Sequence, residues 1–384
     1  MSNGPRTSLR GHLTEVTTRK GETPAEILSV TNTHGFVRSL DVFEKQVFSQ
    51  DTSNYKLVRF NDLAYNPSRI NVGSVARCEF PEGGAVSPMY VVVRCRETLL
   101  SQYLLYFLKS STGLSHIAHR SVGAVRFMLR FNDLERIDLP LPPVADQERI
   151  VLTLNHALDL RRLSDEVEER TARLAPSLFR DWFESTPDVQ PEWRQTILDQ
   201  ECDRITVGHV GPMASEYVTK GVPFLRSQNI KRGRIDLTDV EYISDEFHAK
   251  LGKSALRPGD VVSVRSGKPG TTAVVPHTLP RANCADLIVI TPGEGIEPEF
   301  LAELMNQRLG DQEEIQHSVG AAQKHFNIAE VRRLECELPP RSLQRDFAAR
   351  VAEIHDLESS QSVRRHRLEE LFQSLIARAF QGEQ

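Results

Sequence analysis

The feature that most constrains this chain is that it repeats itself. Displaced by 197 positions, a long stretch falls into register without gaps. Ser121-Val122-Gly123-Ala124 lands on Ser318-Val319-Gly320-Ala321, Leu141-Pro142-Pro143 on Leu338-Pro339-Pro340, and Gln147 on Gln344. Farther along, Leu174, Ser177, Leu178 and Phe183 land on Leu371, Ser374, Leu375 and Phe380. Upstream, Tyr103-Leu104 matches Phe300-Leu301 and Gly73 matches Gly270. With one residue of slippage, Arg59-Phe60-Asn61-Asp62-Leu63 matches Arg257-Pro258-Gly259-Asp260-Val261. A chain of 384 residues is already long for one domain, and self-similarity at this period predicts two copies of one structural unit.

Each half divides in two. Its first part carries short β-type runs such as Met89–Val93 and Leu287–Ile290, separated by Gly, Pro and Asn turns such as Arg257-Pro258-Gly259-Asp260. A helical stretch follows, at Gln102–Leu108 and at Glu299–Leu309. The Leu-Pro-Pro signal then opens a second part, because Pro suits the start of a helix and cannot continue a strand pair. Residues 145–184 and 342–380 contain no Gly and one Pro, Pro176. Apolar residues recur there three and four apart: Ile150, Leu154, Ala157 and Phe347, Val351, Ile354, then Val167, Leu174, Leu178 and Leu368, Leu371, Leu375. A narrow stripe on a charged helix predicts a coiled-coil seam, and two such stripes at matching places predict that the helices pair with each other. Pro176 and the polar stretch Glu358–His366 are where helix continuity is in question. The expected architecture is α+β: two strand-rich domains, residues 1–143 and 191–340, joined by long helices at 144–190 and 341–384.

Five scattered cysteines (Cys78, Cys95, Cys202, Cys284, Cys336) have neither zinc nor dithiol spacing and predict a reducing compartment. No run approaches the roughly 20 apolar residues of a membrane span, and Met1–Arg10 is polar, so a cytoplasmic location is expected. The net charge is −5, unevenly spread. By segment it is +4 for 1–143, −4 for 144–190, −5 for 191–340 and 0 for 341–384. If the chain binds DNA, it does so weakly alone, because phosphate neutralisation supplies most sequence-independent affinity. Partners must contribute charge.

Three stretches resemble the specificity subunits of type I restriction-modification systems. Leu139-Pro140-Leu141-Pro142-Pro143 with Gln147-Glu148-Arg149-Ile150 is similar to that family's lead into a long helix, and Leu371–Leu375 through Ala379–Glu383 to its ending. Gly221–Ile230, Tyr242-Ile243-Ser244 and Gly259-Asp260-Val261 resemble the body of a target recognition domain. Residues 55–93, with Ala64-Tyr65-Asn66-Pro67 and Val86–Tyr90, look like a second variant of it. The resemblance implies two target recognition domains that each read half of a bipartite sequence in double-stranded DNA. It also implies an antiparallel coiled coil acting as a ruler between them, and methyltransferase subunits, two per chain, docked along the helices. Restriction or translocase subunits are a further implied partner. Chemistry would then reside in the partners, with no cofactor or metal held here. The acidic second domain departs from the basic face expected of a DNA reader.

Candidate reading residues are side chains whose geometry matches base edges or phosphate: Arg for guanine, Asn or Gln for adenine, Lys for backbone. In the first half these are Asn66, Arg69 and Asn71 in one polar loop, with Arg120 and Arg126 near the Gly123 turn. The second half offers Arg226, Gln228, Asn229 and Lys231 after an apolar run, then Arg265 and Lys268 at the place of the Asn66–Arg69 loop, and Gln323 and Lys324 after the second Ser-Val-Gly-Ala. Catalytic patterns are weak. Gly208-x-x-Gly211 lacks a dinucleotide fingerprint, and in Arg265-Ser-Gly-Lys-Pro-Gly the Lys is followed by Pro269 where a phosphate loop needs a hydroxyl. Tyr65-Asn66-Pro67-Ser68 only partly echoes a methyltransferase tetrad. The competing reading is a coiled-coil scaffold that assembles partners without reading DNA; the acidic second half favours it, and the polar loops in both halves disfavour it.

Overall fold

The computed structural model describes residues 6–31, 34–42, 50–120, 128–184, 193–310 and 327–380. It divides into two compact units: residues 1–164 with 364–384, and residues 165–363. Among the described residues, no helix is long and apolar enough to cross a membrane.

In unit 1 a four-stranded antiparallel sheet runs in the order Leu13–Glu15, Val91–Cys95, Leu63–Tyr65, Val75–Arg77. Its central strands are buried along most of their length, which suits the Val91-Val92-Val93 run and Tyr65. Side chains alternate: Leu63, Tyr65, Val91 and Val93 face a core shared with helices, while Ala64, Ala76 and Val92 face a second apolar cluster. A second sheet follows the order Gly35–Arg38, Ile27–Thr31, Gly84–Val86, Lys56–Val58, its middle pair parallel and its outer pairs antiparallel.

Unit 2 repeats this plan. Its first sheet runs Cys202–Val207, Leu287–Pro292, Val261–Val264, Thr272–Val274. Its second runs Tyr217–Val218, Glu241–Ile243, Val222–Leu225, Ala282–Cys284, Ala255–Leu256, again with one parallel pair, Val222–Leu225 beside Ala282–Cys284. Unit 2 adds a hairpin of Ile230–Lys231 and Arg234–Ile235.

The repeat extends to buried polar groups. The left-handed position of one turn is Asn61 in unit 1 (φ 70°) and Gly259 in unit 2 (φ 85°), the residue types that tolerate it. The next residue, Asp62 or Asp260, is buried and accepts the backbone N–H of Arg59 or Arg257. Each carboxylate needs a cation. Arg94 gives two bonds to Asp62 (2.7 and 2.8 Å), but the position equivalent to Arg94 is Thr291, and Asp260 is met by Arg204 at 2.8 Å. Arg204 lies directly across the strand pair from Thr291, as Thr14 lies across from Arg94. The guanidinium has changed strands and kept its place.

The long helices start at Val144 and Arg341. Gln147 is fully buried. Its carbonyl accepts from Leu100 N–H (2.9 Å), and its amide donates to Thr98 O and Pro142 O (both 2.9 Å). Gln344 makes the same three bonds, to Glu297 N–H, Gly295 O and Pro339 O. Every partner is displaced by 197. Leu100 and Glu297 are the N-cap residues of the helices Ser101–Lys109 and Pro298–Met305, so one amide fastens the start of the long helix to the start of the domain helix.

The far ends are also equivalent. In unit 1 the C-terminal helix inserts Phe372, Ile376 and Phe380 into the core, with the Phe380 ring 5.1 Å from Tyr103 and 5.6 Å from Phe107. In unit 2 the segment Leu174–Phe183 inserts Phe179, and Phe183 sits 5.0 Å from Phe300, the counterpart of Tyr103. Between these anchors the contacts are polar: Arg161 with Glu369 in unit 1 (2.6 Å), and Gln361 with Thr171 in unit 2 (2.8 Å). Rising numbers on one helix meet falling numbers on the other, which is antiparallel pairing.

The seam differs from the expected stripe in its second half. Val167, Leu174 and Leu371 are exposed, Leu178, Leu368 and Leu375 are half-buried, and the buried positions are Phe179, Phe372, Ile376, Ala379 and Phe380. The cause in the first helix is a break: it ends at Ala172 and restarts at Leu174, so that Pro176 falls in a first turn. The C-terminal helix is continuous from Arg341 to Phe380. Replacing Gln344→Leu would strand one N–H and two carbonyls in the interior. It should lower the stability of unit 2 by about 2–4 kcal/mol, measured by urea denaturation followed through the Trp182 and Trp193 fluorescence.

Candidate nucleic-acid interface

The loop Asn66–Gly73 follows the strand Leu63–Tyr65 and is stiffly built. Asn66 Oδ1 accepts from the Ser68 N–H (3.0 Å) and hydroxyl (2.9 Å), Leu129 N–H donates to Pro67 O (3.0 Å), and Ile70 is fully buried. A short 3-10 turn, Ile70–Val72, ends at Gly73 in the left-handed region (φ 85°). What remains at the surface is Ser68, Arg69, Asn71 and Val72. Asn66, one of the candidate readers, is buried and its oxygen shapes the turn. Arg120 ends the helix Ser111–Arg120. Arg126, Gln323 and Lys324 lie outside the described residues.

In unit 2 the run Arg226–Asn229 forms a 3-10 turn after the strand Val222–Leu225. Asn229 is only 2% exposed, and both ends of its amide are committed: Oδ1 accepts from Arg226 N–H and Nδ2 donates to Asp236 O, each at 3.0 Å. A base contact by Asn229, one of the candidate readers, would break two buried bonds. Gln228 beside it is exposed. Arg226 is held by Asp239 O (2.8 Å) and Glu241 (3.3 Å) and lies over the Tyr217 ring. Lys231 is exposed on the added hairpin. So is Arg234, a cation the sequence reading passed over although Arg232-Gly233-Arg234 has the composition of a hairpin tip. Below it, the Thr238 hydroxyl and N–H hold the Asp236 carboxyl below the usual range.

The second loop of unit 2, Arg265–Gly270, follows Val261–Val264 as Asn66–Gly73 follows Leu63–Tyr65, and Gly270 has the same left-handed φ (84°) as Gly73. Lys268 is exposed at its tip. Arg265 is not: its Nη1 donates to Asp286 Oδ1 at 2.5 Å. Several acids of unit 2 are likewise paired internally, each with an arginine. Arg194–Glu201, Arg204–Asp260, Arg226–Glu241, Arg232–Glu303 and Arg265–Asp286 all lie within it.

Two copies of one sandwich, each ending a central strand in a pinned polar loop, and an antiparallel helix pair fastened by buried glutamines define a duplicated scaffold. Comparison with known proteins agrees. The chain is 24% identical to the type I restriction enzyme EcoBI specificity subunit of Escherichia coli over 92% of this chain and 84% of that one. It is 22% identical to the EcoKI specificity subunit of the same species over 82% and 72%. No family profile matches. In fold it is similar to a chain of a solved type I restriction-modification complex (TM-score 0.59, 19% identity, 99% of this chain and 100% of that one). It is likewise similar to the S subunit structure from M. genitalium (TM-score 0.56, 13% identity, 98% and 96%). Over most of its length the chain is thus similar to specificity subunits of type I restriction-modification systems.

Asn229→Ala should lower the stability of unit 2 by about 1–3 kcal/mol through the unpaired groups it leaves. Gln228→Ala should leave the urea midpoint unchanged while weakening discrimination at one base pair. Equal destabilisation by the two would mean that Gln228 is also structural.

Proposed function

We propose that the two units each read one half of a bipartite DNA sequence through these loops, and that the chain is a non-catalytic, cytoplasmic subunit that carries methyltransferase and restriction partners. The observation that carries this is the placement of the loops. Asn66–Gly73 and Arg265–Gly270 leave equivalent ends of equivalent strands, so one binding geometry is presented twice with different side chains. Rigid loops suit base reading, which requires donors and acceptors fixed in a groove. Arg69, Lys231, Arg234 and Lys268 would supply phosphate contacts.

The helices would set the gap between half-sites. An insertion must go into both, because each helix is held on either side of its midpoint, by Arg161–Glu369 and by Thr171–Gln361. Four residues added after Asp165 together with four before Arg364 lengthen the pair by about 6 Å. That is nearly two base pairs of duplex at about 3.4 Å each. Methylation mapping should show both half-sequences unchanged and their gap widened. A gap that stays as it was would rule out the helices as the ruler.

The helices also offer matched apolar positions. Leu160 and its counterpart Leu357 are 51% and 53% exposed, and Leu174 and Leu371 are both 47% exposed. Repetition of an exposed leucine at the same step of the repeat supports two equivalent docking sites, and hence two methyltransferase subunits per chain. Leu357→Asp should reduce the complex from two methyltransferase copies to one in native mass measurement, with no change in the melting of the isolated chain. Retention of both copies by Leu160→Asp and Leu357→Asp together would show that these leucines are not the docking sites.

A further inference from the structure

We propose that Asp286 is a positioning residue that orients the guanidinium of Arg265 to read one guanine of the half-site bound by unit 2. This rests on the reading that unit 2 binds DNA, and it concerns a residue that offers no contact of its own to a base.

The geometry is that of a clamp. Asp286 Oδ1 accepts from Arg265 Nη1 at 2.5 Å, and Oδ2 accepts from the hydroxyl of Ser266 at 3.3 Å, so one carboxylate fixes two successive residues of the loop. Asp286 is fixed in turn. It lies in the short link between the strands Ala282–Cys284 and Leu287–Pro292, at φ 38°, a left-handed conformation rare outside Gly. Its N–H donates to His209 O (3.0 Å), and its neighbour Ala285 donates to Leu225 O (2.9 Å). The acid is thereby tied to both sheets of the unit, and Arg265 through it.

Charge separates the two roles open to such an arginine. A phosphate contact draws its affinity from uncompensated positive charge, which a carboxylate at this distance removes. A base contact depends instead on holding the planar fork in one orientation, and an acid partner supplies that. Arg265 is compensated and 20% exposed, whereas Lys268 at the tip of the same loop is exposed and has the character of a backbone contact. The clamp belongs to unit 2 alone. The positions equivalent to Arg265 and Asp286 in unit 1 are Ser68 and Met89, and Ser68 is engaged with Asn66. Loops of equal placement thus differ in the one device that fixes a guanidinium, as the reading of two different half-sequences requires.

The test uses the assembled methyltransferase complex. Dissociation constants are measured for the mapped cognate duplex, for each single base-pair variant of both half-sites, and for an unrelated duplex. Asp286→Ala should reduce discrimination at one G·C pair of one half-site on the order of tenfold or more, a typical value for a bidentate contact. Arg265→Ala should relax the same pair, and the double substitution should be no worse than either alone, with the unrelated duplex bound at least as tightly. Asp286→Asn keeps an acceptor and tolerates the left-handed backbone, so it should fold as the parent does and lose part of the discrimination. The proposal is overturned if the Asp286 variants tighten every duplex by a common factor, the mark of an acid that merely repels phosphate. It is equally overturned if relaxation spreads over the whole half-site. An unsubstituted complex with no half-site preference would remove the DNA reading itself, and this proposal with it; that arm is read first.

Discussion

One carboxamide at each junction holds the molecule to its plan. Gln147 and Gln344 are buried where a long helix leaves its domain, and each closes three backbone groups that would otherwise be stranded there. Helix N-termini carry orphan N–H groups, and the turn before a helix carries carbonyls with no ladder to join. A side chain with one acceptor and two donors satisfies both at once. Asn is too short for this span and Glu has no donor. Because the bond set ties the direction of the long helix to the N-cap of the domain helix, the exit angle of the helix is fixed by hydrogen bonds and not by packing alone.

Aromatic burial secures the opposite ends. Phe380 against Tyr103 and Phe183 against Phe300 repeat one contact with the residue types partly changed. The middle of the helix pair is polar, through Arg161–Glu369 and Thr171–Gln361, which specifies register at little cost in stability. The travelling arginine shows the same logic in the sheets. Asp62 and Asp260 cap a turn and are almost wholly buried, so an unpaired charge there would be severely destabilising, yet the cation can come from either of two facing strands.

Much of this was legible in the sequence. The 197-residue displacement gives the duplication, Leu-Pro-Pro marks the helix starts, and the position of Gln147 and Gln344 was visible although its partners were not, because they are backbone groups that leave no trace in residue identity. The seam was misread past its midpoint. Val167, Leu174 and Leu371 have the period of a core, but periodicity cannot tell a face that packs within its own chain from one left exposed. Asn66 and Asn229 carry a related ambiguity: an amide that can recognise adenine is chemically the same as one that caps a turn, and here both are buried in turns. Asp286 was passed over because nothing in the sequence shows that Arg265 is its partner.

The exchange of helix ends has a consequence for synthesis on the ribosome. Unit 2 takes its borrowed aromatics, Phe179 and Phe183, from chain made before its own strands, so its core can close as soon as residues 341–363 emerge. Unit 1 borrows Phe372, Ile376 and Phe380 from chain made about two hundred residues after its own sheets. Throughout that interval the nascent domain must keep the site around Tyr103 and Phe107 open, an apolar hole of the kind that chaperones bind. A duplicated sequence thus gives two domains of the same design but unequal folding histories, with the first-made domain the last to be finished.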